Sequence, residues 1–411
     1  MKIDFDKPRK ISGVCIAESG VQLGQPGNCR KFSIEAFDGL EWVKIHGSDV
    51  IGSYRLCVVD PIVTSSIRLN IEEIADDSIV EIDDMYVCEE MPHTKNAQTR
   101  VVGYYHPMAF ESGSFGGDIK QLDAVTDVVY IGFMPIGVRD NKLEILFNQD
   151  IDDHINSLKK AIAGRNVNIY ASLTGHDVLT NNDDDIERIA AQATEFVITH
   201  DLYGIDLDLE GQWYTSPVQR LGYSKLIVNL GKKLHAIGKK ISIAVITPYP
   251  FTSEALDTLD FISTMTYDYT DVDAWHSTYN AVLRDIDILC NIGLPLIDEN
   301  DNACGYYKVA ANKVNCGVPF YGMGNIDGQR EWERTYSFGH YYSPGDEANF
   351  DPHSNYATQS YYNGPTTMRD KTEYIKNHVG GIMIWALNHD VDYSARFALL
   401  RTIKSGIEGS N

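Results

Sequence analysis

The sequence predicts an α/β fold, a closed (β/α)8 TIM barrel preceded by a small antiparallel β-sandwich, and three observations predict it. Apolar runs of strand length recur after residue 100, at 101–106, 125–134, 167–173, 204–210, 241–248, 261–268, 314–321 and 381–387. Helical periodicity fills most of the gaps between them, most clearly at 153–162, 186–198 and 224–237. Strands alternating with helices build a parallel sheet, and eight of them close into a barrel. Before residue 91 the texture differs. Short β-rich runs at 10–17, 30–36, 40–45, 55–59, 66–71 and 79–87 are punctuated by turn residues such as Phe37-Asp38-Gly39, as in a small sandwich. No Gly-rich phosphate loop follows the first barrel strand, which sets aside an open doubly wound sheet. The polar stretch 91–98, with one proline, is the expected linker between domains at 1–92 and 99–408.

Composition narrows the function. The 411 residues hold a barrel-sized domain and a smaller one, and 43% hydrophobic with 23% charged residues suits a globular protein. A net charge of −23 argues against nucleic acid or an anionic membrane as partner, and leaves an uncharged sugar unaffected. No apolar run approaches about 18 residues, so no membrane-spanning helix is expected. The opening Met1-Lys2-Ile3-Asp4 has no signal-peptide character. The seven cysteines lack metal-ligand spacing, and no metal site is expected. The acidic clusters at 181–185 and 298–301 lack the glycine and terminal glutamate of a calcium loop and read as solvated loops or helix N-termini.

The fourth barrel strand carries the chemistry. It reads Tyr203-Gly204-Ile205-Asp206-Leu207-Asp208-Leu209-Glu210. Side chains alternate along a strand, so Asp206, Asp208 and Glu210 share one face and three aliphatics the other. Like charges so close cannot all ionise cheaply, so at least one should hold a proton at neutral pH. A carboxylic acid kept protonated is available for general acid catalysis. Glu210 ends its strand, where barrel enzymes place their working residues.

These residues resemble the fourth-strand signature Asp-Gly-x-Asp-x-Asp-x-Glu of glycoside hydrolase family 18, the chitinase and endo-β-N-acetylglucosaminidase family. Tyr203 replaces the first Asp, and Leu209 stands where chitinases commonly have Trp. Met265-Thr266-Tyr267-Asp268 resembles the sixth-strand motif. Gly317-Val318-Pro319-Phe320-Tyr321-Gly322 is similar to the seventh strand, and Gly380-Gly381-Ile382-Met383-Ile384-Trp385 to the eighth. Ser172-Leu173-Thr174-Gly175 approximates the third.

The resemblance implies a retaining mechanism with no protein nucleophile, in which the substrate's own 2-acetamido oxygen attacks the anomeric carbon. It implies that Glu210 is the acid and then the base, that Asp208 holds the acetamido N–H, and that Asp206 tunes Asp208. Tyr267 would hold the acetamido carbonyl, Trp385 would lie under the sugar ring, and Asp268, Tyr321 and Trp275 would contact substrate. No cofactor is implied. The expected partner is an N-acetylglucosamine-containing polysaccharide or glycan, and such a substrate suggests a secreted, cell-surface or periplasmic protein. Only 57 residues separate Gly322 from Gly380, short for the subdomain that deepens many chitinase grooves. The cleft is therefore expected to be open. Chitin or chitooligosaccharides are the expected substrate, with the chitobiose core of N-glycans or non-catalytic glycan binding as the alternatives.

The N-terminal segment has its own resemblance. Lys31-Phe32-Ser33-Ile34-Glu35-Ala36-Phe37-Asp38-Gly39, Trp42, Ile51-Gly52-Ser53-Tyr54-Arg55 and Ser66-Ile67-Arg68-Leu69 resemble a discoidin-type, galactose-binding-like sandwich with its opening strands missing. Sugar binding and a structural role are both open readings of it.

Overall fold

The computed structural model describes residues 1–21, 27–48, 51–52, 55–75, 78–88, 98–105, 119–131, 134–177, 179–268, 276–326, 329–345, 356–357 and 360–409. The N-terminal strands β1 (Lys2–Glu18), β2 (Cys29–Phe37), β3 (Trp42–Ser48), β4 (Arg55–Ile74) and β5 (Ile82–Cys88) form one antiparallel sheet in the order β3-β2-β4-β1-β5. The runs expected separately at 55–59 and 66–71 are a single strand. Pro61 falls in the bulge between the ladder pairs Ile11↔Ile62 and Gly13↔Val58. There a missing N–H costs no ladder bond. Residues 11–16 of β1 are buried without a break, so both faces of the sheet are covered. Val14 and Ile16 pack with Phe32, Ile34 and Met85 on one face. Cys15 turns the other way into the core of the following domain, which supplies the second layer.

That domain is the expected barrel. Its strands are β6 (Arg100–Tyr105), β7 (Asp127–Tyr130), β8 (Asn168–His176), β9 (Gly204–Glu210), β10 (Lys240–Val245), β11 (Phe261–Thr264), β12 (Val314–Pro319) and β13 (Gly381–Trp385). They close as one parallel barrel in the cyclic order β8-β9-β10-β11-β12-β13-β6-β7. Helices α1 (Ile151–Ile162), α2 (Asp183–Thr199), α3 (Pro217–Ala236), α4 (Ser253–Thr258), α5 (Tyr279–Asp287), α6 (Pro365–His378) and α7 (Leu399–Glu408) line its outside. Asn182 caps α2 by accepting from the Asp185 amide at 3.1 Å, so the first acidic cluster is a helix N-terminus. In the second, Asp298 accepts from the Asn300 and Asn302 amides and Asp301 pairs with Arg220.

The period-2 alternation of the strands separates two cores. Ile205, Leu207 and Leu209 of β9 join the helix-facing layer, as do Ile241, Ile243, Ile382 and Ile384. Val102, Tyr104, Val129, Tyr170, Ala244, Phe261 and Met383 fill the interior. Gly204 starts β9 because space is lacking: a Cβ there would lie 2.2 Å from the Lys240 carbonyl oxygen. Beyond β12, residues 321–361 add a small antiparallel sheet, Gln329–Ser337, Tyr321–Ile326, Ser360–Tyr361 and Tyr356–Ala357 in that order.

Candidate active site

Strand β9 sends Asp206 and Asp208 into the barrel interior and ends at the exposed Glu210. Asp206 is fully buried and both its oxygens accept hydroxyl bonds, from Tyr104 Oη and from Ser242 Oγ, each at 2.5 Å. Burial raises the Asp206 carboxyl to about 6, and these two hydroxyls act in the opposite direction. Asp208 is pushed well above the ordinary carboxylate range by burial first, then by Glu210 and Asp206. Both shifts favour the protonated carboxyls, and desolvation contributes more to them than the mutual repulsion that the sequence suggested. Asp208 Oδ1 is buried and has no hydrogen-bond partner among the described residues, an arrangement that native structures rarely leave without a use.

The turn after Glu210 is held from the neighbouring strand. Gly211 takes φ +98°, and the Gln212 amide donates to Asp177 Oδ1 at 2.7 Å. His176 pairs with Glu210 in the β8–β9 register, so both leave the sheet on the same side at the barrel rim. Tyr249 and Tyr214 stack at 4.4 Å beside them. Burial, then Tyr214 and Glu210, raise the Tyr249 hydroxyl to about 12.

The other expected residues meet at the same mouth. Tyr104 lies 5.4 Å from Trp385, the half-buried last residue of β13, whose peptide bond to Ala386 is cis. Tyr267 is buried, its ring 6.0 Å from Tyr321 and its hydroxyl 3.8 Å from Met383 Sδ. Tyr321 Oη donates to Asp268 Oδ1 at 2.6 Å. Asp268 adopts φ +63°, and its amide donates to Nδ1 of the buried His276 at 3.0 Å. The opposite ring nitrogen, Nε2, faces the Tyr321 carbonyl at 3.3 Å. Trp275 lies outside the described residues.

Sequence reasoning missed Tyr104 and Ser242, the partners of Asp206, and the stacked Tyr214 and Tyr249. Nothing local distinguishes Tyr104 from Tyr105 except parity with the inward Val102. Among the described residues, no group of three His, Cys, Asp or Glu is placed to hold a metal ion.

Three carboxyls graded from buried to exposed, with aromatic rings at one barrel mouth, can protonate a leaving oxygen and stabilise an adjacent positive charge. The family model for glycosyl hydrolases family 18 matches residues 100–390. The chain belongs to this family. The family 18 match leaves the N-terminal sheet outside it. The barrel is similar to the family 18 chitinase ChiB of Flavobacterium johnsoniae, with TM-score 0.57 and 24% identity over 75% of this chain and 94% of that one. A chitinase of Bacteroides thetaiotaomicron gives TM-score 0.59 and 21% identity over 77% and 99%. The second catalytic domain of the Ostrinia furnacalis group II chitinase, a mutant solved with (NAG)5, gives 0.51 and 19% over 76% and 97%. No significant match is found among curated proteins. This is a family 18 glycosidase, and among its described residues no helix is long and apolar enough to cross a membrane.

Proposed function

We propose that the protein hydrolyses β-1,4 bonds on the reducing side of N-acetylglucosamine in chitin or chitooligosaccharides, with retention and through an oxazolinium intermediate. The observation that carries this reading is the Asp208 carboxyl, buried between Asp206 and Glu210 with one oxygen unpartnered among the described residues. An acetamido N–H entering the barrel mouth satisfies that oxygen and places the acetamido carbonyl for attack on the anomeric carbon.

Glu210 donates its proton to the glycosidic oxygen as the C1–O bond breaks and the acetamido oxygen bonds to C1. Asp208, supported by Asp206, balances the positive charge that develops. Tyr267 orients the acetamido carbonyl through its hydroxyl, and Trp385 stacks under the ring. Tyr321 and Asp268 contact the substrate beside them. Glu210 then takes a proton from water as it adds to C1 and opens the oxazolinium ring. The (NAG)5 ligand of the Ostrinia neighbour supports N-acetylglucosamine oligomers as the substrate class. Such substrates favour a secreted, cell-surface or periplasmic enzyme.

Among the described residues, those after β12 form a small antiparallel sheet, which favours an open cleft. An open cleft fits a non-processive chitinase and equally an enzyme acting on the chitobiose core of N-glycans. The test is product analysis of wild type and Glu210→Gln on chitooligosaccharides and on a high-mannose N-glycopeptide. Chitooligosaccharide cleavage that Glu210→Gln abolishes supports the first reading. A glycopeptide left with one N-acetylglucosamine supports the second. Binding without turnover of either makes the protein a lectin.

A further inference from the structure

The N-terminal sheet reaches the active-site loop through a buried polar chain. The loop between β11 and α5 carries Asp268 and His276, and its exit is fixed at Ser277, which takes φ +54°. Ser277 Oγ donates to the Thr266 carbonyl at 2.6 Å, next to Tyr267. Lys371 of α6 is fully buried and donates to the Ser277 carbonyl at 2.6 Å, to Ser277 Oγ at 2.9 Å and to Asn363 Oδ1 at 2.6 Å. These three acceptors are neutral oxygens around a cation, so each bond is charge-assisted and the loop exit is held tightly.

The residue before Lys371 binds the other domain. Asp370, buried, accepts from Arg55 at the start of β4 and from Ser48 at the end of β3, and Arg55 also donates to Ser48 Oγ at 2.7 Å. The Arg55 guanidinium lies 4.9 Å from the ring centroid of Tyr279, the first residue of α5 and two beyond Ser277. One side chain of the N-terminal sheet thus touches α5, which begins where the loop ends, and α6, whose Lys371 holds the loop exit. A detached sugar-binding module needs no such bond, since buried charge is costly unless paired on both sides.

We propose that Arg55 is a positioning residue for the barrel: through Asp370 and Tyr279 it fixes α6 and α5, and through Lys371 and Ser277 it sets Tyr267 and Asp268. The inference rests on the proposed function for the roles of those two residues. It makes the N-terminal sheet a working part of the catalytic unit.

The test uses the full chain as wild type, Arg55→Met, Arg55→Lys, Ser48→Ala and Ser277→Ala. It measures kcat and KM on tetra-N-acetylchitotetraose, thermal unfolding, and amide hydrogen exchange at 276–282 against 168–176 across the barrel. Arg55→Met and Ser277→Ala should lower kcat about tenfold while KM stays within about twofold, as loss of positioning predicts. Exchange should accelerate at 276–282 alone, and Arg55→Lys should recover most of the rate. Unchanged kcat with a lowered melting temperature, or exchange rising evenly over the barrel, would overturn the proposal. Where Arg55→Met does not fold, Ser48→Ala decides by the same readouts. Where the wild type does not turn over the tetramer, the substrate reading fails, and exchange at 276–282 alone decides the positioning: acceleration supports it and no change refutes it.

Discussion

Tyr104 and Asp206 stand on barrel strands that are not neighbours, and the Tyr104 hydroxyl donates to Asp206 Oδ2 across the interior at 2.5 Å. With Ser242 on the other oxygen, this bond favours the ionised form against a burial that lifts the carboxyl to about 6. Tyr104→Phe and Ser242→Ala each remove one such donor, so the Asp206 carboxyl rises further in both. The acidic limb of the pH profile of kcat/KM should therefore move to higher pH in each variant. A limb that stays in place would separate Asp206 from the titration that governs turnover.

Asp208→Asn should split stability from activity. The folded Asp208 carboxyl titrates well above its ordinary range because it is buried. The native state thus binds more protons than the unfolded chain between those two values, and stability falls as pH rises through that window. Asparagine does not titrate, so the variant should melt at least about 2 °C above wild type at pH 7.5, with the gain shrinking toward pH 4. Its kcat should fall on the order of 10²-fold or more as preorganised charge stabilisation is lost. Paired melting curves and rates across pH check both halves, and a variant less stable at pH 7.5 than at pH 4 relative to wild type contradicts the first.

The Tyr267 hydroxyl lies 3.8 Å from Met383 Sδ inside the barrel. Tyr267→Phe should lower kcat by about 10- to 100-fold. Steady-state rates on a chitooligosaccharide, taken beside a thermal melt, decide it. An equal loss in binding and in rate would place the hydroxyl in ground-state binding instead.

Trp385 offers a half-buried ring at the end of β13, braced against Tyr104. Trp385→Leu in a Glu210→Gln background should weaken chitooligosaccharide binding by roughly tenfold, the scale of a lost aromatic contact. Calorimetric titration of the two proteins gives the comparison. Equal affinities would remove the ring from the sugar site.

Breaking the interdomain pair has a thermodynamic consequence of its own. Asp370→Ala leaves Arg55 buried without its carboxylate, which should cost about 3–5 kcal/mol. Denaturant unfolding of the full chain measures it, and a loss under about 1 kcal/mol would mean that the pair is solvated as surface pairs are.

Strand and helix periods are local properties, so every barrel strand could be read from the chain near its observed place, as could α1, α2 and α3. The same locality made Asp206, Asp208 and Glu210 legible, because two-residue spacing fixes a shared face wherever the strand lies. The separation of 55–59 from 66–71 failed for the complementary reason: only the register of β1 on β4 shows one strand with a bulge between them. Partners brought together by barrel closure and domain packing left no mark in the sequence. Tyr104 meets Asp206 across 102 residues, Lys371 meets Ser277 across 94, and Arg55 meets Asp370 across 315. The sequence by itself determined the barrel, the acidic face of its fourth strand and the family to which both point. Only the tertiary structure decided which carboxyls are dry, which hydroxyls hold them and which loop the N-terminal sheet braces, because desolvation and long-range contact exist only once the chain has closed on itself.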